Sequence, residues 1–433
     1  MSDNQEKEKN PQKTAAGENQ KKSGGPNPLF SLVRTVLILA AAGYLVWTVV
    51  KGNPKVRDMI DRLAAAQQPA AKAMISASGE SMGTFWNVKI FDPPKGWDES
   101  KITSVVQPVL DHVDGLMSTY KPDSEISRFN HSESTDWFSV SAETARVVGL
   151  AQEIAEKTEG ALDITVGPLV NFWKFGPDKT PLTEFPSEDV INAVRAKTGY
   201  QNLEVRLDPP ALKKRIPELC LDLSAVAKGF SVDVVSDALK NEKAANFMVD
   251  VGGETYCYGT KGEVAPGKPV YSNRWLMGIE KPVKTSPGIV SEPSAFLEER
   301  APQFHRIVWM DNRAIATSGD AHNAFEIGGK RYSHIIDPAT GKPTEMTNDA
   351  SGPEVGSVSV FDESCARADA LATALYVLGP DRGTAFAERL NLPVLYLLRD
   401  TQNPDGPCSE KTSSAFADIP SERTDAEVEK SRP

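Results

Sequence analysis

Apolar residues along the chain fall into three patterns, and each predicts a different kind of element. Between Leu29 and Val50 they run almost without interruption, LFSLVRTVLILAAAGYLVWTVV, with no charge from Thr35 onward. As a helix, such a run is roughly 33 Å long, enough to cross a bilayer core of about 30 Å. In GTFWNVKIF, Gly83 to Phe91, apolar and polar positions alternate with the period of a half-buried strand. From Ser141 to Thr158 the apolar residues Val147, Leu150, Ala151 and Ile154 recur at helical spacing. Ser141 stands where a cap is needed and Gly160 where the helix should stop. Ala225 to Leu239, Ala366 to Leu378 and Arg382 to Leu390 also read as helices, with Ser224 as a cap for the first of them. FMVDVGG, FEIGG, GSVSVFD and PVLYLLR are short β runs bounded by turn residues. Helices and strands alternate irregularly, which predicts an α+β fold with antiparallel strands rather than a βαβ succession. No stretch repeats.

These patterns divide the chain. Residues 1–28 are polar and rich in Lys and Gln, with little to bury, and are expected to be disordered. Residues 29–50 are the expected transmembrane anchor, with Arg34 at one interface and Tyr44 and Trp47 at the other. No small-x-small cleavage site follows before Lys51, and no cysteine lies nearby to carry a lipid. Lys7, Lys9, Lys13, Lys21, Lys22 and Arg34 precede or open the span, against Lys51, Lys55, Arg57 and Arg62 after it. That balance predicts the N-terminus inside and the globular part outside. The expectation is a single-pass protein of the cell inner membrane, its folded part periplasmic or otherwise extracytoplasmic. Residues 51–77 are expected to be a linker, 78–399 the folded domain, and 400–433 a disordered tail rich in Pro, Ser and acids. Val283 to Arg306 reads as a loop insertion between two strand-like runs.

Composition narrows the function. A 433-residue chain with 40% hydrophobic residues can build a sizeable core, and a net charge of −11 argues against nucleic acid as a partner. Four cysteines far apart, with no C-x-x-C, give little support to a zinc site or a disulfide framework. Neither of the two commonest nucleotide-binding glycine loops occurs.

Candidate chemistry lies at a few junctions. In CARADALATALYVLG, Asp369 and Thr373 are four apart and share one helix face, a pair of hard oxygen donors suited to Mg²⁺. In LDLSAVAKGFSVD, Asp222 ends a strand and Lys228 lies in the first turns of a helix, where a phosphate can be held. Taken singly, each also reads as an ordinary solvated pair or junction. Asp163 stands before an aromatic group (Phe172, Trp173 and Phe175), and Tyr120 beside a Pro-Asp-Ser turn. DVGGE and ATSGD are tight turns at strand ends, and YSHIIDPATG sets His334, one of five histidines, at the end of a β run.

In order, the chain carries M-G-T, S-T-Y-x-x-x-S-E-I-S-R-F-N, D-I-T-V-G-P-L-V-N-x-W, D-L-S-A-x-A-K-G, D-x-G-G-E, T-S-G-D, S-H-I-I-D-P-x-T-G and A-D-A-x-A-T-A. This series strongly resembles the ApbE family, the FAD:protein FMN transferases, from about Ser78 to Leu398. The resemblance implies a T-fold-like α+β domain that moves FMN from FAD onto a threonine hydroxyl of an acceptor flavoprotein, with Mg²⁺ required and AMP released. By position it implies FAD contacts at Met82, Tyr120, Ala161, Leu162, Asp163, Asp222, Lys228 and Ile336. It implies a metal set of the Ala225 carbonyl, Asp369 and Thr373, and a catalytic role for His334. Two features depart from the family pattern. Ala339 stands where an arginine is common, and Ala321, His322 and Asn323 where an aromatic often follows T-S-G-D. The acceptors it suggests are flavoproteins of membrane redox complexes or other extracytoplasmic flavoproteins. Hydrolysis of FAD to FMN and AMP, with water as the attacking group, is the alternative within the same chemistry. A membrane-tethered protein that binds FAD without cleaving it is the alternative from another class.

Overall fold

The computed structural model describes residues 72–177, 180, 182, 184–282, 303–319, 324–327, 330–346, 354–400 and 406–424. The expected disordered segment 1–28 and the expected anchor 29–50 lie outside the described residues, as do linker residues 51–71. Among the described residues no helix is long and apolar enough to cross a membrane.

The chain runs through β1 (Met74–Ser81), β2 (Thr84–Phe91), α1 (Glu99–Met117), α2 (Glu125–His131), β3 (Phe138–Ser139), α3 (Ala142–Lys157), α4 (Gly167–Phe172), α5 (Glu188–Arg195), β4 (Leu203–Leu207) and β5 (Pro210–Lys214). It continues through α6 (Ala227–Asn241), β6 (Phe247–Val251), β7 (Glu254–Tyr258), β8 (Trp275–Glu280), β9 (Phe304–Met310) and β10 (Arg313–Gly319). Then come β11 (Ala324–Ile327), β12 (Lys330–Asp337), β13 (Lys342–Met346), β14 (Glu354–Asp362), α7 (Cys365–Arg389), β15 (Val394–Arg399), β16 (Ser409–Thr412) and β17 (Ser421–Arg423).

An eight-stranded antiparallel sheet, in the order β1-β2-β6-β7-β10-β14-β15-β16, organises the domain. Its two halves share a connectivity of two strands, an excursion containing helix, and two strands, although no sequence repeat announces it. Alternation along the strands sends successive side chains to two different cores. Phe247, Val249 and Val251 of β6 join Ile102, Val106 and Leu110 of α1 and Leu371 and Leu375 of α7 on the helical face. Met248 points the other way, to a core shared with Trp275, Val308, Phe416 and Ile419. With both faces covered, β15 is apolar on each, which is why VLYLL reads as an unbroken run.

Local signals account for the helices that position the site. In α3, Ser141 accepts from the Thr144 N–H at 3.1 Å, and Gly160 adopts φ +84° just past the end. The two helices expected at 366–378 and 382–390 are both present within Cys365–Arg389, separated by a backbone break at Gly379 (φ 76°, ψ 174°) before Pro380.

Several boundaries are corrected. β1 begins at Met74, so the last residues of the expected linker belong to the sheet, paired with β2. Phe304 to Arg306 of the expected insertion belong to β9, while 283–302 lie outside the described residues. The expected disordered tail contains β16, hydrogen-bonded to β15, and β17, paired with β9. Its polar composition hides three apolar residues, Cys408, Phe416 and Ile419, which complete the second core.

Glu410 ties this C-terminal segment to β9. Its carboxylate contacts His305 Nε2 at 2.7 Å and accepts from Arg306 at 2.8, 3.0 and 3.1 Å. Burial alone would raise its pKa, but the bonds from His305 and Arg306 outweigh that and lower it to about 2. A folded value below the ordinary 4.5 means this stability is present above pH 4.5 and is lost as pH falls toward 2. Glu410→Gln should therefore cost about 2 kcal/mol at neutral pH and flatten the acid limb between pH 4.5 and 2. Urea melts across that range measure both, and an unchanged acid limb would refute the assignment.

Candidate active site

Two helices begin against one another, and the site is built where they meet. The first turn of α6 has no side-chain cap: Val226 is its cap residue, and the expected cap, Ser224, is exposed. Ser224 instead donates its N–H to Asp222 Oδ1 at 2.8 Å, so the helix starts at Ala227, two residues later than its pattern predicts. Ala227 N–H donates to the Leu223 carbonyl at 2.8 Å, and the later amides of the turn need other acceptors. Gly229 N–H finds one on α7, donating to Asp369 Oδ2 at 3.0 Å. In return Asp233 of α6 serves the start of α7, accepting from Ser364 Oγ at 2.8 Å, Cys365 N at 2.8 Å and Ala366 N at 3.0 Å. Each helix thus lends a carboxylate to the other's N-terminus. The backbones touch at Gly229, where a Cβ would lie 2.3 Å from the Cys365 carbonyl oxygen.

Charge gathers at this junction. Lys228 Nζ lies 2.9 Å from Glu254 Oε1 and 3.6 Å from Asp369 Oδ1. Burial works against the ammonium, but the two carboxylates outweigh it and hold the lysine pKa above its ordinary range. Burial pushes the Glu254 carboxyl up to about 8, with the Asp369 charge adding to the pull of burial and Lys228 opposing it. Thr373, one turn along α7 from Asp369, has its hydroxyl 3.2 Å from Ser318 Oγ at the end of β10. Met82 (φ +54°) forms the β1–β2 turn beside this group. A Cβ on Gly252 would lie 2.9 Å from Thr84 Cγ2 and 3.2 Å from Lys228 Cδ, so the turn after Met82 and the Gly252 turn pack together with the lysine stem.

A second group of expected residues lies along the 161–175 segment. Asp222, expected to end a strand, lies in an irregular segment joined to residue 166 by the isolated Val166–Cys220 bridge. Its N–H donates to the Ile164 carbonyl at 2.8 Å, which sets the segment before α6 beside the Ala161–Asp163 stretch. Leu162 and Asp163 are buried. The Asp163 carboxylate is occupied internally, accepting from Thr165 Oγ1 at 2.6 Å, Thr165 N at 2.8 Å and Tyr200 N at 2.9 Å. Burial raises its pKa against those bonds. The Asp163 side chain therefore anchors the loop that carries Ala161 and Leu162. Tyr120 is exposed and its hydroxyl donates to the Phe175 carbonyl at 3.2 Å. Phe172, Trp173 and Phe175 pack in a third core with Ile336 rather than offering an open ring face.

His334 lies within β12, three residues before its end, and not at the strand end as its neighbourhood predicts. Register with β13 slips between Tyr332 and Ile336, and the slip lets Ile335 enter the main core while Ile336 enters the third. Two consecutive inward residues are what a bulge produces, and a bulge re-aims the side chain beside it. The half-buried His334 stands within this slip. The turn after β12 is held by Trp173 Nε1, which donates to the Gly341 carbonyl at 2.8 Å, and by Arg195, which donates to the Ala339 carbonyl. An arginine from α5 thus comes to the loop in which Ala339 replaces one. A cavity of about 600 Å³ lies along β12 and β13, lined in part by Phe185, Tyr332, Thr344 and Val377. Val377 is one helical turn beyond Thr373 on α7.

The donors at the junction fit a hard divalent cation. Asp369, Thr373 and Ser318 present oxygen only, and burial raises the Cys365 thiol far above its ordinary range, so it offers no thiolate. Among the described residues no group of three or more His, Cys, Asp or Glu could enclose a metal. A cation bound here would need hydroxyl, carbonyl and substrate oxygens beside one carboxylate, the manner in which Mg²⁺ is commonly held. Sequence patterns missed Glu254 and Ser318 as members of the site. DVGGE and T-S-G-D were their only signals, and both read as turns.

The chain matches the model of the ApbE family over residues 82–396. It is 41% identical to the FAD:protein FMN transferase of Vibrio cholerae over 354 residues, covering 82% of this chain and 94% of that one. It is 37% identical to the FAD:protein FMN transferase of Haemophilus influenzae over 358 residues, covering 82% and 93%. The solved structure of the flavin transferase ApbE from Vibrio cholerae superposes with a TM-score of 0.66 at 38% identity, covering 81% of this chain and all of that one (100%).

Proposed function

The chain belongs to the ApbE family and transfers FMN from FAD to an acceptor protein, and we propose that the receiving group is a threonine hydroxyl, that AMP leaves, and that Mg²⁺ is required. The observation that carries the site assignment is the meeting of the α6 and α7 starts at Asp369, with Lys228 beside it. A dinucleotide pyrophosphate is doubly negative and repels an attacking oxygen. Lys228 and the N-terminal end of α6 supply fixed positive potential for it. Asp369, Thr373 and the Ala225 carbonyl would hold the magnesium ion, which supplies charge neutralisation and polarisation of the phosphate oxygens. Met82, Tyr120, Ala161, Leu162, Asp163, Asp222 and Ile336 are the candidates for gripping the rest of FAD.

In the transfer step, the threonine oxygen bonds to the flavin-side phosphorus as the bond to the bridging oxygen breaks, and AMP carries that oxygen away. His334 takes the hydroxyl proton; an imidazole is suited to this near neutral pH. Such transfers depend mainly on positioning and charge stabilisation, which the interlocked helix starts provide.

Incubation of the protein with FAD, Mg²⁺ and an acceptor flavoprotein should produce covalent flavin, read by in-gel fluorescence. His334→Ala should retain FAD binding but slow labelling by about 10²-fold, the usual scale for loss of a general base. Labelling at the wild-type rate would remove His334 from the mechanism. We also propose that segment 29–50 anchors the domain at the outer face of the inner membrane, near flavoproteins of membrane redox complexes. Membrane fractionation of the full chain, with protease access from each side, tests this placement.

A further inference from the structure

Lys228 stands between two carboxylates at unequal distances, and the weaker contact is the one on α7. Glu254 accepts a hydrogen bond from Nζ at 2.9 Å, whereas Asp369 Oδ1, at 3.6 Å, lies beyond one. Asp369 Oδ2 is already committed to Gly229 N–H, so Oδ1 is the oxygen that faces the lysine. Glu254 is the first residue of β7 and its side chain is only 5% exposed. It follows the Gly252–Gly253 turn, whose φ values of 62° and 99° suit glycine. Bare backbone there lets the lysine stem lie close, since a Cβ on Gly252 would come within 3.2 Å of Lys228 Cδ.

One ammonium therefore serves two buried carboxylates. Removing it from either leaves an uncompensated buried charge, which is costly unless another cation replaces it. We propose that Glu254 is a positioning residue that gives Lys228 a second seat: the ammonium balances Asp369 in the free enzyme and stays on Glu254 when a divalent cation takes Asp369 Oδ1. Lys228 then remains at the α6 start, beside the phosphates, instead of competing for Asp369 or swinging into solvent. With Glu254 ionised, the filled site holds three positive charges against two negative, a balance suited to an anionic pyrophosphate. This inference rests on the reading of Asp369 as a cation ligand.

The test is equilibrium Mn²⁺ binding, followed by the electron paramagnetic resonance signal of free Mn²⁺. Titrations are run at pH 8.5, above the value of about 8 to which burial lifts Glu254. Wild type should show one site that Asp369→Asn abolishes. Glu254→Gln should weaken that site by about tenfold in wild type. In the Lys228→Met background, the same change should move it less than about twofold, because no lysine remains to be seated. If Glu254→Gln does not fold, Glu254→Asp, too short to keep the 2.9 Å contact, should weaken the site in the same background-dependent way. Equal weakening in both backgrounds would mean that Glu254 acts only through its own field, and would overturn the proposal. Unchanged affinity in the folded single variant would overturn it too. A wild type with no site sensitive to Asp369→Asn would end the cation reading itself.

Discussion

Asp369→Ala is expected to lower flavin transfer by about 10³-fold or more while leaving the protein folded. Its carboxylate has two tasks that differ in size. As acceptor for Gly229 N–H at 3.0 Å it replaces a missing cap on α6, worth about 1 kcal/mol. As the one carboxylate in the proposed cation set, it contributes the charge without which hydroxyl and carbonyl oxygens bind a divalent ion weakly. Lys228 keeps Glu254 as a partner at 2.9 Å, so the variant does not strand a buried ammonium. Asp369→Asn separates the two tasks. Its amide oxygen can still accept from Gly229 N–H, so its melting temperature should stay near wild type while transfer is lost. In-gel flavin fluorescence and thermal melts of both variants give the answer. Wild-type labelling by Asp369→Asn would dismantle the site as drawn.

Gly229→Ala is expected to damage both stability and transfer, for a reason that lies in backbone contact. The new Cβ would lie 2.3 Å from the Cys365 carbonyl oxygen, 2.6 Å from its carbon and 2.8 Å from Ala366 Cα. None of these is the end of a flexible side chain, so α6 and α7 must move apart. Overpacking commonly costs 1–3 kcal/mol, and a backbone clash belongs near the upper end, at about 3 kcal/mol. In a domain of this size that corresponds to about 6 °C or more in melting temperature. Separation also pulls Asp369 from Gly229 N–H and Asp233 from the start of α7, so the charged groups lose their spacing. A displacement of about 1 Å at a reacting centre can cost 10²-fold, which sets the expected loss of transfer. Gly115→Ala is the control: it lies within α1, where a Cβ meets nothing within 4 Å, and should be neutral or slightly stabilising. Similar behaviour of the two variants would show that helix propensity, not contact between α6 and α7, governs position 229.

The sequence was most legible where local chemistry and burial agree. The strand at Thr84–Phe91, the helix capped by Ser141 and the helical break at Gly379-Pro380 all follow from residues near one another in the chain. It was least legible where a residue's partner is remote. Ser224 has the chemistry of a cap, but its amide is drawn to Asp222, and the acceptor α6 needs comes from Asp369, 140 positions from Gly229. The C-terminal residues read as a tail because so few are apolar. Phe416 and Ile419 nonetheless find a waiting core on the second face of the sheet, and Glu410 finds Arg306. Asp163 reads as an available carboxylate until Tyr200 N–H, 37 positions away, is seen to occupy it.

By itself, the sequence determined the α+β class, most element types and the ordered motifs that resemble one family, because periodicity, caps and turns act over a few residues. Tertiary structure decided which polar groups remain available for chemistry. It satisfied Asp163 from within, brought Glu254 and Asp369 to one lysine, and set the half-buried His334 within a register slip between β12 and β13. The physical reason is that burial makes each hydrogen bond and charge depend on partners supplied from across the fold, and no local pattern in the chain records that pairing.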